Sequence, residues 1–214
     1  MYKLAIFDLD GTLADTSPGI LNCIRYTQSK MNLPEISLEK MYSHVGPPMS
    51  ESYNRNFGLE GDELKQAVEY HKEYAMSKGY KEIVFYDGII EVLEKLREKN
   101  IMIAVATLKS YKTAVKIFEE FNIIGLFDCI AGVGLENLNT KSDVLNYCLK
   151  KLKVGKNEAV LIGDSKYDAI GASEVGIDFI AVTYGFGFKE KSDIDGYNYS
   201  NICNNTNDLL LQIL

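Results

Sequence analysis

The apolar positions of this 214-residue chain fall into two kinds of pattern. Five short runs are almost continuously apolar: KLAIFD (3–8), IMIAVAT (101–107), FDCIAGV (127–133), AVLIGD (159–164) and DFIAVTY (178–184). Such runs predict parallel strands buried on both faces. Between them the spacing becomes helical. DGIIEVLEKLREKN predicts a helix capped by Asp87, with Ile89, Val92, Leu93 and Leu96 on one face. SYKTAVKIFEEFN predicts one starting at Ser110, with Val115 and Phe118 inward. TKSDVLNYCLKKL buries Val144, Leu145, Cys148, Leu149 and Leu152, and SKYDAIGASEVG ends at the helix-stopping Gly176. Strand and helix in alternation predict an α/β fold, a doubly wound, Rossmann-like parallel sheet.

The alternation breaks once. From about Ser17 to Gly79 every pattern is helical. Ser17-Pro18 predicts an N-cap with proline at the first helical position. Ser37 starts a second helix, Pro47-Pro48 precedes a third, and Asp62 caps a fourth with Leu64, Val68, His71 and Ala75 on its stripe. An all-helical insertion between the first two core strands divides the chain into a core of residues 1–15 and 82–214 and an inserted domain of residues 16–81. Both connections to the insertion lie where ligands bind in such sheets.

Composition narrows the function classes. The net charge of −7, with both signs interspersed, argues against a nucleic-acid polymer as partner. No apolar run is long enough for a membrane span, and YKLAIFDLD has no signal-peptide form. Cys23, Cys129, Cys148 and Cys203 show no metal-type spacing, which suits reduced thiols and a cytoplasmic protein.

The candidate chemistry lies after the strands. The first is followed by Asp8, Asp10, Gly11 and Thr12, and the second ends in Thr107 with Lys109 beyond it. GLENLNTKSD, after the third, holds Lys141, and GDSKYD, after the fourth, holds Asp164 and Asp168. Each has an ordinary structural reading alone: a turn, a β-branched strand residue, a solvated lysine, acids at a helix N-terminus. None of those explains why all gather at one edge of the sheet. Four carboxylates in one cleft repel one another unless a hard divalent cation joins them, and Mg²⁺ bound by a few carboxylates commonly shares its shell with a substrate phosphate. Thr107, Lys141 and backbone N–H groups near Gly11 suit that phosphate.

DLDGT, Thr107, Lys141 and GDSKYD, in this order, resemble the four motifs of the haloacid dehalogenase superfamily, over the entire chain. The insertion resembles the helical cap of its phosphatase branch, and HVGPPMSESY (44–53) is similar to cap segments of phosphoglycolate phosphatases and related 5′-nucleotidases. The resemblance implies that Asp8 is the nucleophile, forming an aspartyl-phosphate, and that Asp10 is the acid–base. It implies Mg²⁺ on Asp8, Asp164 and the Asp10 backbone carbonyl, phosphate binding by Gly11, Thr107, Leu108 and Lys141, and support from Ser165 and Asp168. Two departures stand out. TKSDV and TLKSY lack the proline that often follows the lysine of each motif, which leaves local loop shape and the role of Lys109 open.

The expected activity is hydrolysis of a small phosphorylated metabolite by a monomer or homodimer, phosphoglycolate first and a nucleoside 5′-monophosphate second. A sugar-phosphate mutase and a pyrophosphatase share these motifs. A phospho-accepting receiver domain is the rival of another class; Asp10 and the helical insertion count against it. His44 and Arg55 are the insertion's substrate candidates, against a plain structural role for each. His71 and the GFGFKEKSD stretch (185–193) are expected to be structural, the latter a surface loop near the site's rim whose glycines lack dinucleotide-binding spacing.

Overall fold

All four side chains of β1 (Leu4–Phe7) are fully buried. A strand with no exposed face needs partners on both edges and layers on both sides. In the computed structural model, which describes residues 2–214, β1 has both. It pairs in parallel with β4 (Met102–Ser110) and β6 (Ala159–Gly163), so that Ile6 stands level with Ala104 and Leu161. With β5 (Cys129–Val133), β7 (Asp178–Val182) and β8 (Asn201–Cys203) the sheet runs β5-β4-β1-β6-β7-β8, each pair parallel. The order reverses at β1, which places the ends of β1, β4 and β6 side by side at a switch point. A separate two-stranded sheet joins β2 (Ala14–Asp15) and β3 (Val84–Phe85).

The core helices are α5 (Ile89–Glu98), α6 (Tyr111–Glu120), α7 (Lys141–Leu152), α8 (Lys166–Val175) and α9 (Thr206–Ile213). Leu4, Ile6 and Leu161 pack with Val144, Leu145 and Cys148 of α7 and with Ala169 and Ala172 of α8 in one apolar cluster. Three sequence expectations shift here. Gly88, in the left-handed region, occupies the cap of α5 in place of Asp87. In α6 the buried positions are Thr113, Ala114, Ile117 and Phe118, and Val115 is only half-buried. Strand β4 continues three residues past Thr107, with a register shift between Thr107 and Ser110.

The chain divides into two compact units: one runs up to Asp15 and resumes at Phe85–Leu214, the other is Thr16–Val84. The second holds α1 (Ser17–Met31), α2 (Leu38–Tyr42), α3 (Met49–Phe57) and α4 (Gly61–Ser77), then a 3-10 turn at Gly79–Lys81. Ser37 caps α2 as expected, accepting from the Lys40 amide. Thr16, rather than Ser17, stands at the cap of α1, and Glu60, rather than Asp62, at that of α4. Tyr53, fully buried, anchors this unit's centre with Leu59 and Ala67. Its hydroxyl donates to Thr27 Oγ1 and lies equally close, 3.0 Å, to His71 Nδ1. His71 is therefore a satisfied core histidine. Among the described residues no helix is long and apolar enough to cross a membrane.

Candidate active site

Asp8 leaves β1 still attached to the sheet, its amide donating to Ile162 O at 2.9 Å. Its carboxylate is buried, and Oδ1 lies 2.6 Å from Lys141 Nζ. Lys141 is the first residue of α7, where Thr140 and Asp143 form a reciprocal capping box that sets the start of the helix. The ammonium donates to Asp8 Oδ1 and Ala106 O and forms an ion pair with Asp168 Oδ1, all at 2.6 Å. Asp168 sits in the first turn of α8, and its Oδ2 accepts from both the amide and the hydroxyl of Ser165. One lysine thus ties β1, β4, α7 and α8 together at the sheet's carboxyl edge.

Asp10 lies two residues on and meets a different lysine. Lys109 Nζ donates to its Oδ1 at 2.8 Å, with both side chains mostly buried. Lys109 belongs to the irregular end of β4. There its amide donates to Thr107 Oγ1 at 3.1 Å, and Leu108 occupies the same bulged stretch. Thr107 is buried at the strand's end. The Thr12 hydroxyl is also buried and has no hydrogen-bond partner among the described residues.

Asp164 follows β6 and is 2% exposed. Its Oδ2 accepts from the amides of Phe186 and Gly187, at 2.6 and 3.0 Å, and its carbonyl accepts from Phe188 at 2.7 Å. The sequence reading missed this loop. It is expected at the rim as a surface segment, yet Gly185 and Phe188 are buried and the loop's backbone grips a central acid. The available signal was a pair of glycines directly after a strand that neighbours an acid-bearing strand. Side chains would not fit in this corner. A Cβ on Gly11 (φ +85°) would stand 2.2 Å from Asp164 Oδ2, and one on Gly185 would stand 2.2 Å from Gly11 O and 2.4 Å from Asp164 Oδ2.

The electrostatics follow from this crowding. Burial, and then the charges of Asp168, Asp10 and Asp164, push the Asp8 carboxyl up to about 8, against the pull of Lys141. Burial and the Asp168 charge raise Asp164 to about 7, with the Gly187 and Phe186 amides opposing. Burial alone would lower Lys141, but Asp168 and Asp8 override it and keep the ammonium charged, well above its usual range.

The acids fit a divalent cation. Asp8, Asp164 and Asp168 each offer a carboxylate oxygen, all within 4.8 Å of one another. These are hard oxygen donors, as Mg²⁺ prefers. Were all four carboxylates ionised, the two lysines would leave two negative charges unbalanced, the charge that one divalent cation carries. The grouping differs from the expected ligand set in one respect: Asp168 joins Asp8 and Asp164, while the Asp10 side chain is engaged by Lys109.

His44 and Arg55 both lie in the helical unit; neither ring nitrogen of His44 has a hydrogen-bond partner among the described residues, whereas Arg55 is bonded there. His44 is 4% exposed, set against the rings of Tyr53 and Phe57, and burial followed by the Arg55 charge lowers it to about 4. Arg55 Nη2 donates to Ser43 O at 2.6 Å, and its Nη1 lies 3.6 Å from Glu51.

Comparison with known proteins decides the family. A family model described as haloacid dehalogenase-like hydrolase matches residues 5–182. The chain belongs to this family. Within it, a solved haloacid dehalogenase-like hydrolase from Streptococcus pneumoniae superposes with a TM-score of 0.91 at 31% identity, covering 100% of this chain and 99% of that one. A 5′-nucleotidase from Pseudomonas aeruginosa is 30% identical over 89% of this chain and 86% of its own length. The tyrosine-protein kinase PtkA of Mycobacterium tuberculosis is 35% identical over 86% of this chain, and this chain spans only 63% of that relative's length. Other relatives carry the names phosphoglycolate phosphatase and pyrophosphatase PpaX. This haloacid dehalogenase-like chain accordingly has relatives named as phosphatases, alongside one named as a kinase.

Proposed function

We propose that the chain is a Mg²⁺-dependent phosphomonoesterase acting through an aspartyl-phosphate on Asp8. The pairing of Asp8 with Lys141 carries the reading: a carboxylate at the tip of the central strand lies 2.6 Å from an ammonium that three oxygens hold in place. Asp8 attacks the phosphorus, and the bond from phosphorus to the leaving oxygen breaks. Asp10 gives a proton to that oxygen and later takes one from the water that hydrolyses the acyl phosphate. Lys141, Thr107 and the amides around Gly11 and Leu108 hold the transferring phosphoryl group. Asp8, Asp164 and the Asp10 carbonyl would hold Mg²⁺, with Asp168 and Ser165 behind them, and the metal supplies charge neutralisation at the phosphoryl oxygens. The helical unit is assigned the role of cap.

The substrate is a small phosphorylated metabolite. Phosphoglycolate is placed first and nucleoside 5′-monophosphates second, in line with the names of relatives. The test is phosphate release with Mg²⁺ from phosphoglycolate, nucleoside 5′-monophosphates, sugar phosphates and pyrophosphate, with Asp8→Asn run beside the wild type. ATP with a tyrosine-bearing protein acceptor joins the panel because of the name one relative carries. Metal-dependent release lost in the folded variant supports the reading. Near-normal release by folded Asp8→Asn removes Asp8 as nucleophile, and transfer to protein tyrosine with no release to water replaces the hydrolase by a kinase.

A further inference from the structure

Lys109 stands apart from Lys141 in how its charge is used. Lys141 Nζ has three oxygen partners. Lys109 Nζ, with its side chain only 15% exposed, makes one hydrogen bond among the described residues, to Asp10 Oδ1. An ammonium largely withdrawn from water with two N–H groups left over is a binding group awaiting an acceptor. The backbone is shaped to present it. The register of β4 against β5 shifts between Thr107 and Ser110, and irregularities of this kind re-aim side chains next to active sites.

The proposed chemistry then says where an acceptor would sit. This step rests on the phosphatase reading, in which Asp10 protonates the leaving oxygen. Two hydrogen-bond lengths, with the width of the Asp10 carboxyl between them, place Nζ within roughly 8 Å of that oxygen. That is on the leaving-group side, away from the phosphoryl oxygens that Lys141 serves. We propose that Lys109 is a specificity-determining residue that binds an anionic oxygen carried by the leaving group itself, two or three bonds from the scissile oxygen. The substrate class is a short phosphate ester or anhydride with a charged leaving group: a carboxylate as in phosphoglycolate, or a phosphoryl group as in pyrophosphate. Nucleosides and uncharged polyols put no anion there.

The test compares two esters that differ in one group, phosphoglycolate and 2-hydroxyethyl phosphate, with pyrophosphate as a third arm. The wild type is expected to prefer phosphoglycolate in kcat/KM. In Lys109→Met that preference falls roughly tenfold or more, chiefly through KM for the charged ester, and Lys109→Arg restores most of it. A greater wild-type rate on pyrophosphate than on phosphoglycolate assigns the anion to an anhydride and supports the same class. Equal loss on both esters in folded Lys109→Met overturns the proposal, as does a wild type that does not discriminate between them. The second outcome needs no variant to fold. No phosphate release from any substrate by the wild type overturns the phosphatase reading instead.

Discussion

Replacing Lys141 by methionine tests the electrostatic centre of the site. The side chain is 5% exposed and lies 2.6 Å from both Asp8 and Asp168, themselves 10% and 1% exposed. Methionine fills much of the same volume but leaves two carboxylates facing each other without a counter-charge. Removing one partner of a buried ion pair costs about 3–5 kcal/mol. For a chain of this length that lowers the melting temperature of the metal-free protein by roughly 6–20 °C.

The sign of the pH dependence follows from Asp8. Its folded-state value is already raised from 3.8 to about 8, and Lys141 is the influence holding it down. Without Lys141 it rises further. A group raised in the folded state adds stability that is complete below its unfolded value and lost as pH climbs through its folded value. The contribution of Asp8 to stability therefore fades between about pH 4 and 8, and Lys141→Met is expected to be penalised more at pH 8 than at pH 5.5. Melting curves at both pH values, with chelator present, read this directly. Adding Asp8→Asn to Lys141→Met removes the group that must take up a proton on folding and recovers part of the loss at pH 8, an interaction that a double-mutant cycle isolates. A shift below about 2 °C at pH 8, or a larger loss at pH 5.5, refutes the account.

Three further outcomes are expected. Asp10→Asn lowers turnover by about 10²–10⁴-fold while Mg²⁺ binding by calorimetry persists; unchanged turnover removes Asp10 from the acid–base role. Mg²⁺ affinity rises between pH 6 and 8, because Asp8 near 8 and Asp164 near 7 must lose protons to bind it, at about tenfold per pH unit for each proton displaced; an affinity independent of pH contradicts the cation's assignment to these acids. Gly185→Ala puts a Cβ 2.4 Å from Asp164 Oδ2 and 2.2 Å from Gly11 O, costing about 1–3 kcal/mol and weakening Mg²⁺ binding; a variant with wild-type melting temperature and affinity shows that the corner yields freely.

The strands that read clearly in the sequence are those buried on both faces. LAIF and AVLIG are uninterrupted apolar runs because each lies inside the sheet under helices on either side. The same burial made their ends stand out as the place where acids begin. β8 escaped because Asn201–Cys203 is three residues long at the sheet's edge, with only Cys203 buried. The helix cap at Gly88 rests on a left-handed backbone conformation, whereas Asp87 beside it carries the more familiar capping side chain. The loop around Asp164 read only as a rim segment for another reason: it acts through amides, whose direction residue types do not record, and its two glycines are the sole trace. Lys109 could be named but not given a partner, since its reach to Asp10 depends on the irregular end of β4.

The two lysines divide the site in a way that its chemistry explains. On the proposed mechanism every substrate presents the same phosphoryl group, so the lysine assigned to that half can be built in rigidly. Lys141 is: three oxygens from three segments fix it, and loss of any one is felt by its neighbours. Leaving groups differ, so the lysine on their side must keep bonding capacity in reserve. Lys109 does, on the irregular, half-buried end of β4, with one hydrogen bond among the described residues. Asp8 and Asp10 are two residues apart, yet the proposed mechanism assigns them to these two halves. On that mechanism the carboxylate spacing that opens the sequence pattern sets a fixed transfer step beside an adjustable recognition step.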